Sequence, residues 1–251
     1  MVKKLKVMDV ELNHFSLRES FLIIEKYMKD SHMSTVRLVT MEQLAMAGQD
    51  GDVKESLTDT DLCIIEDEAI LQAAGASPDP FGQDVDAHRF FEELLRRMVV
   101  LNKSVYLAGY DPDKVSAFKE YLSREYKHLN IIGYGVVSDD SQENENLINE
   151  INTVLPDVVL SILKSPVQDR FLNSHKDQIY TKVWVGLGSD ESYAKSDGFF
   201  KRIWRKKIES RIFHYQVERY RTQKMREESK REMMEKNRMD HKDKESFDDK
   251  P

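Results

Sequence analysis

The sequence predicts an α/β fold: a Rossmann-like, mainly parallel sheet flanked by helices, with a basic helical appendage at the C-terminus. Short apolar runs rich in β-branched residues alternate along the chain with helical segments of about 10 to 15 residues, which is the spacing of βαβ units. After residue 198 the pattern becomes basic, aromatic and helical. We therefore expect an α/β domain (1–198), a basic amphipathic helix (199–220) and a charged helical or disordered tail (221–251).

Apolar runs between polar or turn-forming residues predict the individual strands. In chain order they are 5–12 (a strand or one arm of a hairpin), 35–40, 62–65, 104–109, 130–137, 157–163 and 182–188. Helices are predicted after the capping-box pattern Ser16-Leu17-Arg18-Glu19, over 86–101, after Asp111-Pro112 and over 141–155. Because helical segments separate successive strands, the sheet should be mainly parallel.

Bulk composition excludes several classes of protein. Cys63 is the single cysteine among 251 residues, which excludes an internal disulfide framework and a cysteine-cluster metal site. The seven histidines show no helical metal-binding spacing, so we predict no metal and no other cofactor. No apolar run has the length of a signal-peptide core or of a membrane span. We therefore expect a cytoplasmic protein.

The stretch SPVQDRFLNSHKDQIY (165–180) follows a predicted buried strand and allows two interpretations. One is a helix start, with Ser165 as the N-cap, Pro166 at the first helical position and Asp169 in the first turn. The other is a ligand site, because open α/β sheets bind ligands outside the carboxyl ends of their strands. The two interpretations are compatible.

Charge is distributed unevenly along the chain. Between 199 and 239 fourteen Lys and Arg accompany six acids, a net +8, whereas residues 1–198 carry −13. Phe200, Trp204, Ile208 and Ile212 fall on one helical stripe within the basic segment. This helix either contacts an anionic membrane surface or an anionic ligand, or docks on the core with a solvated basic face. Nucleic acid is not expected as a partner, because the acidic domain would repel it.

Seven fragments occur in an order that resembles one known family. They are LKVMDVELNHFSLRESF, VRLVTMEQLAMA, TDTDLCIIEDEAILQAAG, VYLAGYDPDKVSAFKEYL, IIGYGVVSDD, SPVQDRFL and VWVGLGS. Together they resemble the WecG/TagA/CpsF family of glycosyltransferases. The resemblance runs from about residue 5 to about 220, because FFKRIWRKKIESRIFHYQVERYR takes the place of the family's C-terminal membrane-targeting appendage. The resemblance implies inverting transfer of an N-acetylhexosamine from a UDP-sugar to a lipid-linked diphospho-sugar acceptor in cell-surface polysaccharide synthesis. It also implies no strict metal requirement and a peripheral position on the inner face of the cell membrane; a homo-oligomer is compatible with it.

The resemblance also implies residue roles. The family's general base aligns with Glu66, or with Asp67 if the register shifts by one residue. Thr40 and Gln168 would contact the donor, Asp169 would support the site, and Gly109 and Gly133 would lie near the substrate. The basic residues of the appendage would meet lipid headgroups or the acceptor diphosphate; they are Lys201, Arg202, Arg205, Lys206, Lys207 and Arg211.

Several family positions differ in this chain. Glu42, or Thr40 itself, stands where the family has an Asn, and the family's Asp-Gly turn has lost its glycine, whose position Asp67 takes when Glu66 aligns with the base. Of the arginines, only Arg89 is near the position expected before the helix at 86, and the Phe-Asp and Arg-Ala-Pro motifs after VWVGLGS are missing or shortened. A second hypothesis is therefore a catalytically inactive relative that serves as a binding or scaffold module.

Overall fold

A computed structural model describes residues 3–65, 68–76, 87–188 and 213–234. The strands in these ranges are β1 (Lys3–Val7), β2 (Val10–His14), β3 (Ser34–Val39), β4 (Leu62–Ile65), β5 (Ser104–Gly109), β6 (Asn130–Val136), β7 (Val158–Ser161) and β8 (Val183–Gly186). The helices are α1 (Leu17–Tyr27), α2 (Met41–Ala47), α3 (Gly51–Thr58), α4 (Glu68–Ala73), α5 (Ala87–Val100), α6 (Pro112–Glu125), α7 (Ser141–Val154), α8 (Val167–His175) and α9 (213–234). This alternation confirms the predicted α/β class.

Strands β3 to β8 form a parallel sheet in the order β4-β3-β8-β7-β5-β6. β3 and β8 lie side by side near the middle, and Arg37 of β3 pairs with Gly186 of β8. Gly186 in turn pairs with Ser161 of β7. Since all six strands are parallel, their carboxyl ends meet at one edge, which we call the carboxyl edge.

Alternation within the strands divides the core into two layers. In β3, Leu38 packs in the layer formed by α1, α5 and α6, whereas Val39 packs in the opposite layer. Arg37 alternates with Leu38 and therefore also faces the opposite layer. That layer contains α2, α3, α4, α7, α8 and α9 together with the N-terminal hairpin.

The N-terminal segment is a hairpin of β1 and β2. The predicted single strand or single hairpin arm over 5–12 was wrong, because the turn of the hairpin falls inside that run. Its turn residues, Met8 and Asp9, both have positive φ angles of 49° and 64°. Helix α9 packs against this hairpin, with Phe213 and Val217 buried in the same cluster as Val10. The first turns of α9 therefore dock on the core.

The described C-terminal helix covers parts of two regions of the predicted division of the chain. α9 crosses the predicted boundary between residues 220 and 221 without interruption. Beyond Tyr220 its described residues are exposed apart from the partly buried Lys224, as the predicted solvated helix requires. The predicted stripe of Phe200, Trp204, Ile208 and Ile212 lies outside the described residues. The three-region division stays a prediction.

Other local predictions can be compared with the structure directly. The Ser16–Glu19 capping box is present at the start of α1, and Asp111 caps α6 as predicted. Ser165 as the N-cap and Pro166 at the first helical position were both wrong: Pro166 is the N-cap, α8 begins at Val167, and no side chain makes a capping hydrogen bond there. Asp169 does lie in the first turn of α8. The helices α2, α3 and α4 were not predicted.

Candidate active site at the carboxyl edge

Two segments with predicted site residues lie near the carboxyl edge. Thr40 follows β3 directly and is the N-cap of α2. Gln168 and Asp169 lie in the first turn of α8, which follows β7. β8 separates β3 from β7, so a single strand lies between the two segments. The structure thus brings Thr40, Gln168 and Asp169 into one region.

Thr40 takes part in a reciprocal cap with Gln43. The Gln43 backbone N–H donates to Thr40 Oγ1 over 3.2 Å, and the Thr40 backbone N–H donates to Gln43 Oε1 over 3.2 Å. This is the capping-box arrangement, which fixes both side chains at the end of β3. The Thr40 hydroxyl keeps its own hydrogen as a donor for a ligand.

A buried ion pair lies just below this edge. Arg37 Nη1 donates to Asp169 Oδ1 over 2.7 Å and to Ser56 Oγ over 2.8 Å. The side chains of Arg37 and Asp169 are both 0 % exposed. The pair joins β3 to α8, so it holds the start of α8 against the sheet.

Gln168 belongs to the same buried network. Its carboxamide nitrogen lies 2.9 Å from Ser161 Oγ, and its oxygen lies 3.1 Å from Arg37 Nη2 and 3.3 Å from Arg37 Nε. We assign the carboxamide in this orientation because its oxygen must face the guanidinium donors. Gly186 leaves the space for this side chain: a Cβ at that position would lie 2.6 Å from the carboxamide.

These contacts bear on the roles expected for the α8 residues. Gln168 is 0 % exposed and its carboxamide already has protein partners. A direct contact between Gln168 and a donor would require it to exchange one of these partners, and this contact stays a prediction. Asp169 accepts a hydrogen bond from Arg37, and Arg37 donates to the Gln168 carboxamide oxygen. Asp169 therefore has the contacts expected of a supporting residue.

The two glycines expected near the substrate occupy different places. Gly109 ends β5 at the carboxyl edge, where a Cβ would lie 2.4 Å from Val115 Cγ2. Gly133 lies in the interior of β6, the strand farthest from β4, and a Cβ there would lie 2.5 Å from the Tyr106 ring. Packing therefore requires a residue without a side chain at both positions. The structure does not bring Gly133 to the carboxyl edge.

The expected general base lies outside the described residues. β4 ends at Ile65, which pairs with Val39, the residue before Thr40. Glu66 and Asp67 follow Ile65 directly in the sequence, but the structure describes neither of them. The same holds for the basic residues of the appendage, namely Lys201, Arg202, Arg205, Lys206, Lys207 and Arg211.

The single cysteine is not available for thiolate chemistry. Cys63 lies on β4 and is 4 % exposed. Burial raises the pKa of its thiol to about 12, so it stays protonated at neutral pH. Within the ranges that the structure describes, no group of three or more His, Cys, Asp or Glu side chains could hold a metal ion.

The fold and this edge define a Rossmann-like α/β protein of the kind that binds ligands at the carboxyl ends of parallel strands. Residues 5–190 match the glycosyl transferase WecG/TagA/CpsF family, and the chain belongs to that family. The resemblance seen in the sequence fragments is thereby confirmed, and it supports a glycosyltransferase role.

Two relatives illustrate the match. The N-acetylglucosaminyldiphosphoundecaprenol N-acetyl-beta-D-mannosaminyltransferase of Bacillus subtilis (strain 168) is 23% identical over 195 residues, which cover 76% of this chain and 74% of the relative. The protein of the same name from Staphylococcus aureus (strain NCTC 8325 / PS 47) is 18% identical over 206 residues, or 81% of this chain and 80% of the relative.

Sequence reasoning missed Arg37 and Gln43. Gln43 had a recognisable signal, because Thr40-x-x-Gln43 is itself a capping-box pattern. Arg37 had a weaker one: a lone cation within the β-branched run TVRLVT, whose acidic partner lies 132 residues further along the chain. No local pattern could have joined Arg37 to Asp169.

Proposed function

We propose that this protein transfers an N-acetylhexosamine from a UDP-sugar to a lipid-linked diphospho-sugar acceptor in cell-surface polysaccharide synthesis. The observation that carries the proposal is that Thr40 and the Gln168–Asp169 pair follow strands only one strand apart near the carboxyl edge, beside the strand end that leads into Glu66. Family membership supports it, and both relatives are named as N-acetyl-beta-D-mannosaminyltransferases of N-acetylglucosaminyldiphosphoundecaprenol.

In the proposed reaction the acceptor hydroxyl attacks the anomeric carbon of the sugar, and the bond to the UDP oxygen breaks. Glu66 or Asp67 accepts the proton of the hydroxyl, as inverting chemistry requires. The Thr40 hydroxyl donates a hydrogen bond to the donor. Arg37 and Asp169 act as positioning residues, since both are buried and hold the start of α8.

The leaving diphosphate carries negative charge that the site must stabilise. Lys164 follows β7 at the carboxyl edge and is exposed, so it is a candidate for this role. The basic residues between Lys201 and Arg211 are further candidates for the acceptor diphosphate or for lipid headgroups.

The lipid-linked acceptor requires contact with a membrane surface. Among the described helices, none combines the length and apolar character needed to span a bilayer. We propose peripheral binding through the basic segment, because each Lys or Arg near an anionic leaflet adds about 1 kcal/mol. Co-sedimentation with anionic vesicles should be strong at low salt and weak at high salt. Protein that stays in the supernatant at low salt would contradict the membrane contact.

A second candidate is an inactive relative that binds a ligand or serves as a scaffold. The observation that favours it is the complete burial of Gln168, whose carboxamide is occupied by Arg37 and Ser161. On this hypothesis, the fold is kept while the expected donor contact has become part of the core.

Thermal unfolding with UDP and UDP-N-acetylhexosamines, followed by a transfer assay with a lipid diphospho-sugar acceptor, tests both candidates. A ligand at 100 times its Kd stabilises the folded state by about 2.7 kcal/mol. Stabilisation together with transfer supports the enzyme. Stabilisation without transfer supports the binding module. The absence of both, in folded protein at millimolar ligand, would refute the proposed function.

A further inference from the structure

The side chain of Gln43 has one strong hydrogen-bond donor for which the described residues supply no partner. Gln43 is 3 % exposed, and within the described part of the chain its Nε2 has no hydrogen-bond partner. Its oxygen is committed, because Oε1 accepts from the Thr40 backbone N–H over 3.2 Å. Turning the carboxamide over would place two donors face to face, so the nitrogen is the atom that remains unpaired.

An unpaired donor in this position is costly. A buried polar group without a partner destabilises a protein, so such groups are uncommon in native structures. The reciprocal cap with Thr40 could be made equally well by a glutamate, which has no donor and is a usual residue at this position of a capping box. The cap alone therefore does not explain why the chain carries an amide here.

The unpaired nitrogen lies next to Gly188. A Cβ on Gly188 would be 3.5 Å from Gln43 Nε2, 3.4 Å from Thr40 Cγ2 and 3.3 Å from the Leu38 carbonyl oxygen. Gly188 has a φ angle of +74°, which L-residues with side chains rarely adopt. At Gly188 the backbone therefore runs beside the Gln43 carboxamide with no side chain of its own there. Thr40 and Gln43 follow β3 and Gly188 follows β8, so all three lie where these two neighbouring strands end.

We propose that Gln43 is a binding residue for the donor, and that its Nε2 donates a hydrogen bond to a carbonyl or phosphate oxygen of UDP. This inference rests on the proposed function and adds a residue to it. A neutral amide suits an uncharged carbonyl as well as a phosphate oxygen, and the Thr40 hydroxyl beside it offers a second donor. Binding would give the orphaned nitrogen its acceptor, so the free energy lost in the empty state is regained in the complex.

Gln43→Glu is the most informative substitution. A carboxylate oxygen still accepts from the Thr40 N–H, so the cap is kept, but the donor becomes an acceptor that repels a phosphate or a carbonyl. We expect the Kd for UDP, measured by calorimetry, to rise at least about 10-fold, which is the effect of losing one hydrogen bond of about 1.4 kcal/mol. Gln43→Met, which keeps the size and has no charge, should also weaken binding.

The matched control is Gln178→Glu. Gln178 is exposed in a short 3-10 helix before β8, at the opposite edge of the sheet, so the same change of charge there should leave the Kd within about twofold. A measurement on the wild type needs no variant to fold: the side-chain NH₂ resonances of Gln43 should shift when UDP is added.

The outcomes separate this inference from the proposed function. If the wild type binds UDP and a folded Gln43 variant binds it equally well, or if the Gln43 resonances do not move, the inference is wrong and the proposed function stands. If an ordered water, and not the donor, is the partner of Nε2, the Gln43 variants should bind UDP as the wild type does. If the wild type does not bind UDP at all, the proposed function fails and the role of Gln43 fails with it.

Discussion

Arg37 and Asp169 form an ion pair in which neither side chain is accessible to solvent, with Arg37 Nη1 2.7 Å from Asp169 Oδ1. Placing two charges in a protein interior is expensive, and their attraction compensates for it only with good geometry and further hydrogen bonds. Ser56 and Gln168 supply such bonds to the guanidinium. The pair therefore links three elements, β3, α3 and α8, behind the carboxyl edge.

Removing both members of this pair should cost less than the two single removals added together. We expect Arg37→Met and Asp169→Asn each to lower the free energy of unfolding by about 3–5 kcal/mol, because each leaves a buried group without its partner. The double variant should lose less than the sum of the two. Urea denaturation measures all three. Strictly additive losses would show that the two side chains are not coupled.

The exposed pair Lys4–Glu11 is the control for that experiment. Its atoms are 3.1 Å apart, but its side chains are 70% and 61% exposed. Exposed ion pairs contribute about 0–1 kcal/mol, so Glu11→Gln should change the free energy of unfolding by no more than about 1 kcal/mol.

Gly186→Ala tests whether the position of Gln168 depends on the absent side chain. A Cβ at 186 would lie 2.6 Å and 2.7 Å from the two carboxamide atoms, which the buried Gln168 cannot easily vacate. We expect a destabilisation of about 1–3 kcal/mol, typical of overpacking. Gly51→Ala is the matched control, since a Cβ there has nothing within 4 Å and should be neutral or stabilising. Equal melting temperatures for the two variants would contradict this account of Gly186.

The general base can be identified by removing its charge. We expect Glu66→Gln or Asp67→Asn to reduce transfer by about 100-fold to 10,000-fold, because the amide keeps the shape and cannot accept the proton. The melting temperature should stay within about 1–2 °C, since each amide has nearly the same shape as the carboxylate that it replaces. Wild-type turnover in both variants would show that neither residue is the base.

The class of fold was predictable because its signals are local. A buried parallel strand such as Leu62–Ile65 appears in the sequence as a short apolar run. The start of α6 is marked in the sequence by Asp111, its N-cap, and by Pro112, its first residue. The helices α2, α3 and α4 were missed because they are only 6 to 8 residues long, too short for a clear helical period.

The candidate site was predictable only in part. Thr40 and Gln168 were found through the family resemblance, which marks positions but carries no coordinates. That Gln168 is buried follows from contacts with Arg37 and Ser161, which are distant in sequence. Such contacts depend on the order of strands in the sheet, and this order is not encoded in any single segment.

Phe213 tests whether the C-terminal helix is part of the fold. Phe213 and Val217 are 2 % and 4 % exposed against the core, although they lie beyond the predicted end of the α/β domain at residue 198. We expect Phe213→Ala to destabilise the protein by about 3–5 kcal/mol, as large-to-small changes in a core do. Tyr215→Ala is the control, because Tyr215 is 68% exposed. If both variants unfold like the wild type, the domain 1–198 is independent of α9.

Asp9 gives the docking of α9 a defined pH dependence. Lys224 binds the carboxylate, Tyr220 Oη donates to it over 3.0 Å, and Lys6 Nζ lies 3.5 Å away. The hydrogen bond from Lys224 is the main cause that lowers the pKa of Asp9 from 3.8 to about 2, against the opposing effect of partial burial. Since the pKa is lower in the folded state, the folded protein releases this proton more readily than the unfolded chain does. The stabilisation from Asp9 is therefore complete above about pH 4 and disappears as the pH falls toward 2.

Comparison with Asp9→Asn isolates this contribution from general acid unfolding. At pH 6 the wild type should exceed the variant by about 1–2 kcal/mol in free energy of unfolding, a range that allows for screening by solvent. At pH 3 about half of that difference should remain, because the group is then mostly protonated in the unfolded chain and still mostly ionised in the folded protein. Guanidinium chloride is unsuitable for the measurement because its ions screen the contact, so urea is required. A difference that is the same at both pH values, or absent at pH 6, would mean that Asp9 does not hold α9 against the hairpin.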